Sequence, residues 1–120
     1  MTIEEVANRL VELCREGDWE KAQNELYHPD IISIEPEEMG GDVSKGMDEI
    51  LEKNKKWADM TLESHGAIIS DPIIADGYFC ISITNDVTLK EIGRVQCTEL
   101  CVYQVEHGKI VTERFFHKHI

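Results

Sequence analysis

The sequence has no long hydrophobic run. Within its 120 residues, no stretch approaches the ~20 consecutive apolar residues that a helix needs to span a bilayer. The first ten residues, MTIEEVANRL, also lack the basic-then-apolar order of a secretory signal. We therefore predict a cytoplasmic protein that does not enter a membrane.

Positive charge is scarce as well. The chain has 12 Lys and Arg residues against 24 Asp and Glu residues, which gives a formal net charge of -12. A field of this sign repels phosphate backbones and anionic lipid headgroups. Neither a nucleic acid nor a membrane surface is predicted as a partner, and an anionic ligand is disfavoured.

Cysteine and proline are also few. The 4 cysteines (Cys14, Cys80, Cys97 and Cys101) form neither a CxxC pair nor a dense disulfide pattern, so we predict reduced thiols that pack in the interior. With 3 prolines and 42% hydrophobic residues, the composition is that of a folded chain. The length allows one hydrophobic core, and residues 1–120 are predicted to form a single domain.

Apolar residues recur at three- and four-residue steps in three segments of the N-terminal half, and this periodicity predicts three helices. The first helix is predicted over residues 2–15, where Thr2 and Glu5 form a capping box. The second runs from about residue 19 to the residue before His28-Pro29, since proline disfavours helical geometry in the residue that precedes it. The third opens at Gly46 and ends near Trp57.

The period then changes from 3.6 to 2, which indicates strands. A short strand is predicted at 31–36, and four longer strands near 62–70, 73–86, 91–105 and 109–118. Three helices that precede a mostly antiparallel sheet define an α+β fold, with the helices packed against one face of that sheet.

The final hairpin predicts which side chains share a face. Pairing Val105 with Ile110 across the turn places Glu113 opposite Val102, and the same face then carries Leu100 with Phe115 and Thr98 with His117. We expect this face to look inward, together with Phe79, Ile81 and Ile83 of the preceding strand. The opposite face, with Cys101, Tyr103 and Phe116, is predicted to pair two subunits.

Several short motifs, in this order and spacing, resemble the nuclear transport factor 2-like superfamily and its SnoaL-like and ketosteroid isomerase-like branch. These motifs are Glu16-Gly17-Asp18, His28-Pro29-Asp30 leading into Ile34-Glu35-Pro36, Lys45-Gly46, and His107-Gly108-Lys109-Ile110. The resemblance implies a cone-shaped, cystatin-like α+β barrel with an apolar pocket at its open end. It also implies a homodimer formed through the sheets.

The resemblance carries over to catalytic positions only in part. Glu35 falls where ketosteroid isomerases place the aspartate that shuttles the proton. The two oxyanion donors of that family would fall at Leu10 and Leu100, and leucine cannot donate a hydrogen bond. The sequence is therefore not interpreted as a steroid isomerase.

Three polar side chains are the catalytic candidates. Glu35 could act as a general base, or lie exposed at a strand end; Glu113 could be an acid, orient a histidine, or belong to a buried polar network. His117 could donate a proton or polarise a carbonyl, or be solvated near the end of the chain. The predicted ligand-binding residues are Trp57, His65, Phe79, Ile81, Ile83, Thr98, Leu100, Val102 and Phe115.

The sequence gives only weak support for a metal site. His117 and His119 could chelate an ion with Glu113 or Glu35, but their spacing is loose and no third firm ligand follows, so neither a metal nor another cofactor is predicted. The remaining hypotheses are an isomerase, dehydratase or cyclase that acts on a small, apolar, neutral molecule, and a non-catalytic module that binds such a molecule or dimerises.

Overall fold

Three helices form where the apolar periodicity predicts them. The computed structural model describes residues 1–118 and contains α1 (Ile3–Arg15), α2 (Trp19–Leu26) and α3 (Gly46–Met60). Both hydrogen bonds of the Thr2–Glu5 capping box are present at the start of α1. No helix within residues 1–118 is both long enough and apolar enough to cross a membrane.

Seven strands form one curved sheet around the helices. They are β1 (Tyr27–Ile34), β2 (Val43–Lys45), β3 (Thr61–Ile69), β4 (Ile73–Ala75), β5 (Tyr78–Leu89), β6 (Gly93–Glu106) and β7 (Lys109–Phe116). The order across the sheet is β2-β1-β7-β6-β5-β3, and β4 also pairs with β5. All pairings are antiparallel except that of β1 with β7. This arrangement confirms the predicted α+β fold.

The predicted strand at 73–86 is in fact two strands. Asp76 and Gly77 both have positive φ and form a two-residue turn between β4 and β5, a geometry that glycine adopts without steric cost. Asn85 and Asp86, which were expected to end the strand, pair with β3 and β6 inside β5. Pairing on both sides overrides the local turn preference of these two residues.

The register predicted for the last hairpin is wrong by one residue. Val105 does pair with Ile110, but Val111 is an extra residue in β7, so Gln104 pairs with Thr112 and Glu113 lies opposite Tyr103 rather than Val102. A bulge of this kind adds a residue on one strand and shifts every later pair. The shift leaves Glu113 on the inner face and turns the other set of β6 side chains inward.

Two expectations change as a consequence. Thr98, Leu100 and Val102 lie on the outer face of the sheet, and Leu100 is 43% exposed, so their predicted place in an inner pocket is wrong. Cys101 and Tyr103 are buried in the core and cannot form the outer strip of a dimer.

The core fills the space between α1, α2 and the inner face of β5 and β6. Phe79, Ile81 and Ile83 face inward as expected, and Phe79 stacks on Tyr103 with ring centroids 4.8 Å apart. The four cysteines are free thiols, of which Cys14 and Cys101 are buried. Polar side chains lie on the inner face of the sheet instead, where Lys53 of α3 reaches Ser33 of β1 and Glu113 of β7.

Candidate functional site

Glu113 lies at the centre of a buried polar cluster. Its side chain is on the inner face of β7, and the residue is only 1% exposed. The Tyr27 hydroxyl donates to Glu113 Oε2, and the Ser33 hydroxyl donates to Glu113 Oε1 at 2.7 Å. Because β1 runs parallel to β7 with Ser33 paired to Glu113, the two strands hold these groups together. Burial, and then the Glu113 charge, raise the pKa of Tyr27 well above its usual range, so this phenol is a donor.

Lys53 connects this cluster to Glu35. The Lys53 ammonium, which α3 supplies, donates to Ser33 Oγ at 2.7 Å and forms an ion pair with Glu35 Oε1 at 2.9 Å. The same Nζ is 3.5 Å from Glu113 Oε1 and 4.7 Å from the centroid of the Phe115 ring. Glu35 follows the end of β1, where its backbone N–H donates to the Asp42 carbonyl at 2.9 Å.

Glu99 is the third carboxyl group of the site. Burial raises its pKa to about 7, and the charges of Glu35 and, less strongly, Glu113 act in the same direction. The Cys101 thiol and the Lys53 ammonium oppose this rise. At neutral pH, Glu99 therefore exchanges between a neutral acid and a carboxylate.

His117 faces Glu99 from the end of β7. The distance between His117 Nε2 and Glu99 Oε2 is 3.8 Å, which is an ion-pair distance when the imidazole is protonated. The other ring nitrogen, Nδ1, is buried and has no hydrogen-bond partner within residues 1–118. A buried polar atom in this state can bond to a ligand without displacing a protein partner.

The members of the site differ in their access to solvent. The side chains of Glu35, Lys53 and Glu99 are 29%, 26% and 25% exposed, whereas Glu113 is enclosed. A surface cavity of about 240 Å³ lies beside the site, and Phe115, whose ring contacts Lys53, forms part of its wall with Pro36. A second cavity of about 300 Å³ lies at the far end of α3, next to Met60 and Leu89.

The structure brings together some of the predicted site residues and separates others. Glu35, Glu113, Phe115 and His117 belong to the polar cluster or contact it. Phe79, Ile81 and Ile83 are core residues behind it. The Trp57 side chain is exposed on α3. His65 Nε2 lies 2.8 Å from Thr88 Oγ1. Thr88 lies between the buried Val87 and Leu89, so its side chain is on the opposite face of β5 from theirs. His119 lies outside the described residues.

Four members of the site were missed at the level of sequence: Tyr27, Ser33, Lys53 and Glu99. Lys53 follows the buried Ile50 by three residues, a spacing that places both on one face of a helix. Glu99 shares one face of β6 with Cys101 and Tyr103, and the sequence predicted that this face is the outer one. The prediction was wrong because no residue pattern in the sequence indicates the bulge at Val111.

A curved sheet that wraps three helices, with a polar cluster on its inner face, defines the nuclear transport factor 2-like class of α+β cone. The family model for the SnoaL-like domain matches residues 1–117. The chain therefore belongs to the SnoaL-like family, as the resemblance implied. No protein with a curated description matches it.

Solved structures agree with this assignment. One is a Mesorhizobium loti protein provisionally named a SnoaL-like polyketide cyclase, with carbohydrate phosphatase as a second label. It is 35% identical to this chain, and the match covers 98% of this chain and 100% of that one, with a TM-score of 0.90. A cystatin-like protein from Xanthomonas campestris is 17% identical over 97% and 90% of the two chains, at a TM-score of 0.80. A Catenulispora acidiphila protein with a ketosteroid isomerase-like fold, in complex with trimethylamine, is 14% identical over 97% and 87%, at 0.74. The last two matches show the shared fold alone.

Proposed function

We propose that the chain is an enzyme that moves protons on a small, largely apolar, neutral carbonyl compound, as isomerisation, dehydration or cyclisation requires. The observation that carries this proposal is the pair of Glu99 and His117, whose facing atoms are 3.8 Å apart on the inner face of neighbouring strands. With the pKa of Glu99 near 7, this pair can hold or release a proton at neutral pH. Within the three reaction types, the name of the Mesorhizobium loti relative favours cyclisation.

In this proposal Glu35 is the base and Glu99 is the acid. Glu35 is held beside an ammonium group and is partly exposed, so it can accept a proton from a carbon next to the substrate carbonyl. A neutral Glu99 can then donate a hydrogen bond to the oxygen on which negative charge develops. Glu99 directly precedes Leu100, the position at which the family resemblance expected a protonated carboxyl group.

Glu113 and His117 have different parts. Glu113 is enclosed, and its oxygens already accept from Tyr27 and Ser33, so we assign it to positioning rather than to contact with substrate. His117 contributes Nε2 to the pair with Glu99, and its enclosed Nδ1 has no partner in the described part of the chain.

The test is proton exchange into a panel of small neutral ketones and 1,3-diketones, followed by NMR in deuterated water. The wild type should accelerate exchange at the carbon next to the carbonyl for at least one member. Glu35→Gln and Glu99→Gln should each lower that rate by about 10²- to 10⁴-fold, the usual contribution of a positioned acid or base. Glu20→Gln, an exposed residue of α2, is the control and should keep the full rate. Full activity in both site variants would contradict the proposal.

A binding module without catalysis is the second candidate. It is favoured by the two cavities described above, because both are open to the surface and neither has Glu99 or Glu113 in its wall. Native mass spectrometry of the purified protein distinguishes the two functions. A small neutral molecule that copurifies and is released unchanged, without proton exchange in any ketone of the panel, would favour binding over catalysis.

We also propose that two copies pair through the outer face of the sheet. Ile68 and Ile73 are 75% and 71% exposed there, and Leu100 is paired with Phe116, which is also exposed. An apolar patch of this kind on a folded protein is typical of an interface. A second copy is the expected partner because a two-fold axis covers the same patch on both subunits.

A further inference from the structure

Three carboxyl groups share the site with one ammonium group. Glu35, Glu99 and Glu113 come from the end of β1, from β6 and from β7, and Lys53 lies among them on α3. If all three carboxyl groups were ionised, the cluster would carry two uncompensated negative charges in a partly buried place. One proton in the cluster removes half of this excess, so the question is which carboxyl group holds it.

Hydrogen-bond donors are distributed unequally over the three groups. Glu113 accepts from the hydroxyls of Tyr27 and Ser33 and has Lys53 at 3.5 Å, which is the set of partners that a carboxylate takes. Glu35 has the Lys53 ammonium at 2.9 Å. Glu99 accepts only the weak Cys101 thiol donor, at 3.8 Å from its Oε1, among the hydrogen bonds of residues 1–118.

We propose that Lys53 is a positioning residue: its ammonium group binds Glu35 and Glu113, and Glu99 is thereby left as the carboxyl group of the cluster that carries the exchangeable proton. The inference rests on the proposed function, in which Glu35 is the base and Glu99 the acid, and it names the group that separates the two roles. We do not expect Lys53 itself to touch the substrate, because Ser33, Glu35 and Glu113 occupy its ammonium group.

Titratable and charged groups face Glu99 from several elements of the fold. The titratable and charged groups that face it are Glu35 after β1, Lys53 on α3, Cys101 on β6, and Glu113 and His117 on and after β7. The charges of Glu35 and Glu113 favour a proton on Glu99, and Lys53 acts against it directly. The indirect effect of Lys53 is opposite in sign, because without it Glu35 would lose its ion-pair partner and the three carboxyl groups would have no ammonium group among them.

The experiment is a carboxyl ¹³C NMR titration of protein labelled at the glutamate side chains, and it needs no substrate. In the wild type, one cluster carboxyl group should titrate near pH 7, and Glu99→Gln should remove that resonance. Lys53→Met keeps the length of the side chain without its charge, and a second cluster carboxyl group should then titrate above pH 6. Lys53→Arg should restore the wild-type pattern, and Lys56→Met, an exposed position on the same helix, should leave it unchanged.

The possible outcomes test the roles of Lys53 and Glu99 separately. If Glu99 titrates near 7 in both the wild type and Lys53→Met, with no second carboxyl group shifted, the role of Lys53 is overturned while the acid of the proposed function stands. If Glu99 titrates near its ordinary value in the wild type, both the proton assignment and the proposed acid fail. Circular dichroism on each variant identifies loss of fold. If Lys53→Met does not fold, Lys53→Arg alone tests the role of Lys53. A second carboxyl group that titrates above pH 6 in Lys53→Arg would also overturn that role.

Discussion

Replacing Glu99 with glutamine should stabilise the protein, and the gain should depend on pH. Glutamine has nearly the size of a protonated glutamate, so below about pH 5 the two side chains place similar groups at this position. Above that pH the wild type must either keep a proton that the unfolded chain has released or bury a charge near Glu35. The variant has neither cost.

The sign and size of the effect follow from the pKa of Glu99, which is raised from 4.5 to about 7 in the folded protein. Between these two pH values the folded state binds more protons than the unfolded state, so the stability contributed by this group is complete below 4.5 and is lost as pH rises to 7. At about 1.4 kcal/mol per pH unit, the full interval amounts to about 3 kcal/mol. Because the side chain is 25% exposed and solvent screens part of the effect, we expect about 2 kcal/mol at pH 8.

Urea unfolding at pH 5, 6, 7 and 8 measures this directly. With a slope of about 2 kcal/mol per M, the midpoint of Glu99→Gln should exceed that of the wild type by about 1 M at pH 8 and by little at pH 5. Glu91→Gln, in the exposed turn between β5 and β6, should show no such trend. A difference between Glu99→Gln and wild type that is constant across the four pH values would contradict this prediction.

Two further predictions concern burial on the two faces of the sheet. Glu113→Gln should lower the free energy of unfolding by about 2–4 kcal/mol, because one of the two oxygens that accept from Tyr27 and Ser33 becomes an NH2 group, which cannot accept, and Lys53 loses a buried charge partner. Thermal unfolding measures this, and a loss below about 0.5 kcal/mol would contradict it. Leu100→Asp should convert a dimer to monomer without lowering the melting temperature of the monomer, as light scattering at micromolar concentration would detect. A wild type that is already monomeric there would remove the proposed interface.

The fold was predictable because its signals are local and agree with one another. The Thr2–Glu5 capping box, the proline after His28 and the alternation of Phe79, Ile81 and Ile83 each point to the element that forms. The β4–β5 turn at Asp76-Gly77 carried an equally local signal, but it lay inside an apolar segment that was interpreted as one strand.

The site was predictable only in part because it depends on register. Alternation on β7 correctly placed Glu113 on the inner face, where it is buried. The β6 side chains that share this face were predicted by counting residues from the hairpin. One extra residue at Val111 shifts that count, so Glu99 lies on the inner face where Leu100 was predicted. A bulge is decided by packing on both sides of the sheet, so residue types near the turn do not reveal it.

The position of Glu99 supports the proposed function, because burying this carboxyl group destabilises the folded state and has no evident structural benefit. Glu113 is buried with three donors and contributes to holding β1, β7 and α3 together. Glu99 has a weak thiol donor and a histidine at 3.8 Å, and its charged form is opposed by burial and by two neighbouring carboxyl groups. A glutamine or leucine at this position would stabilise the fold at neutral pH. A destabilising group that is partly open to solvent and has a pKa near 7 is typical of a proton-transfer site, in line with the proposed function.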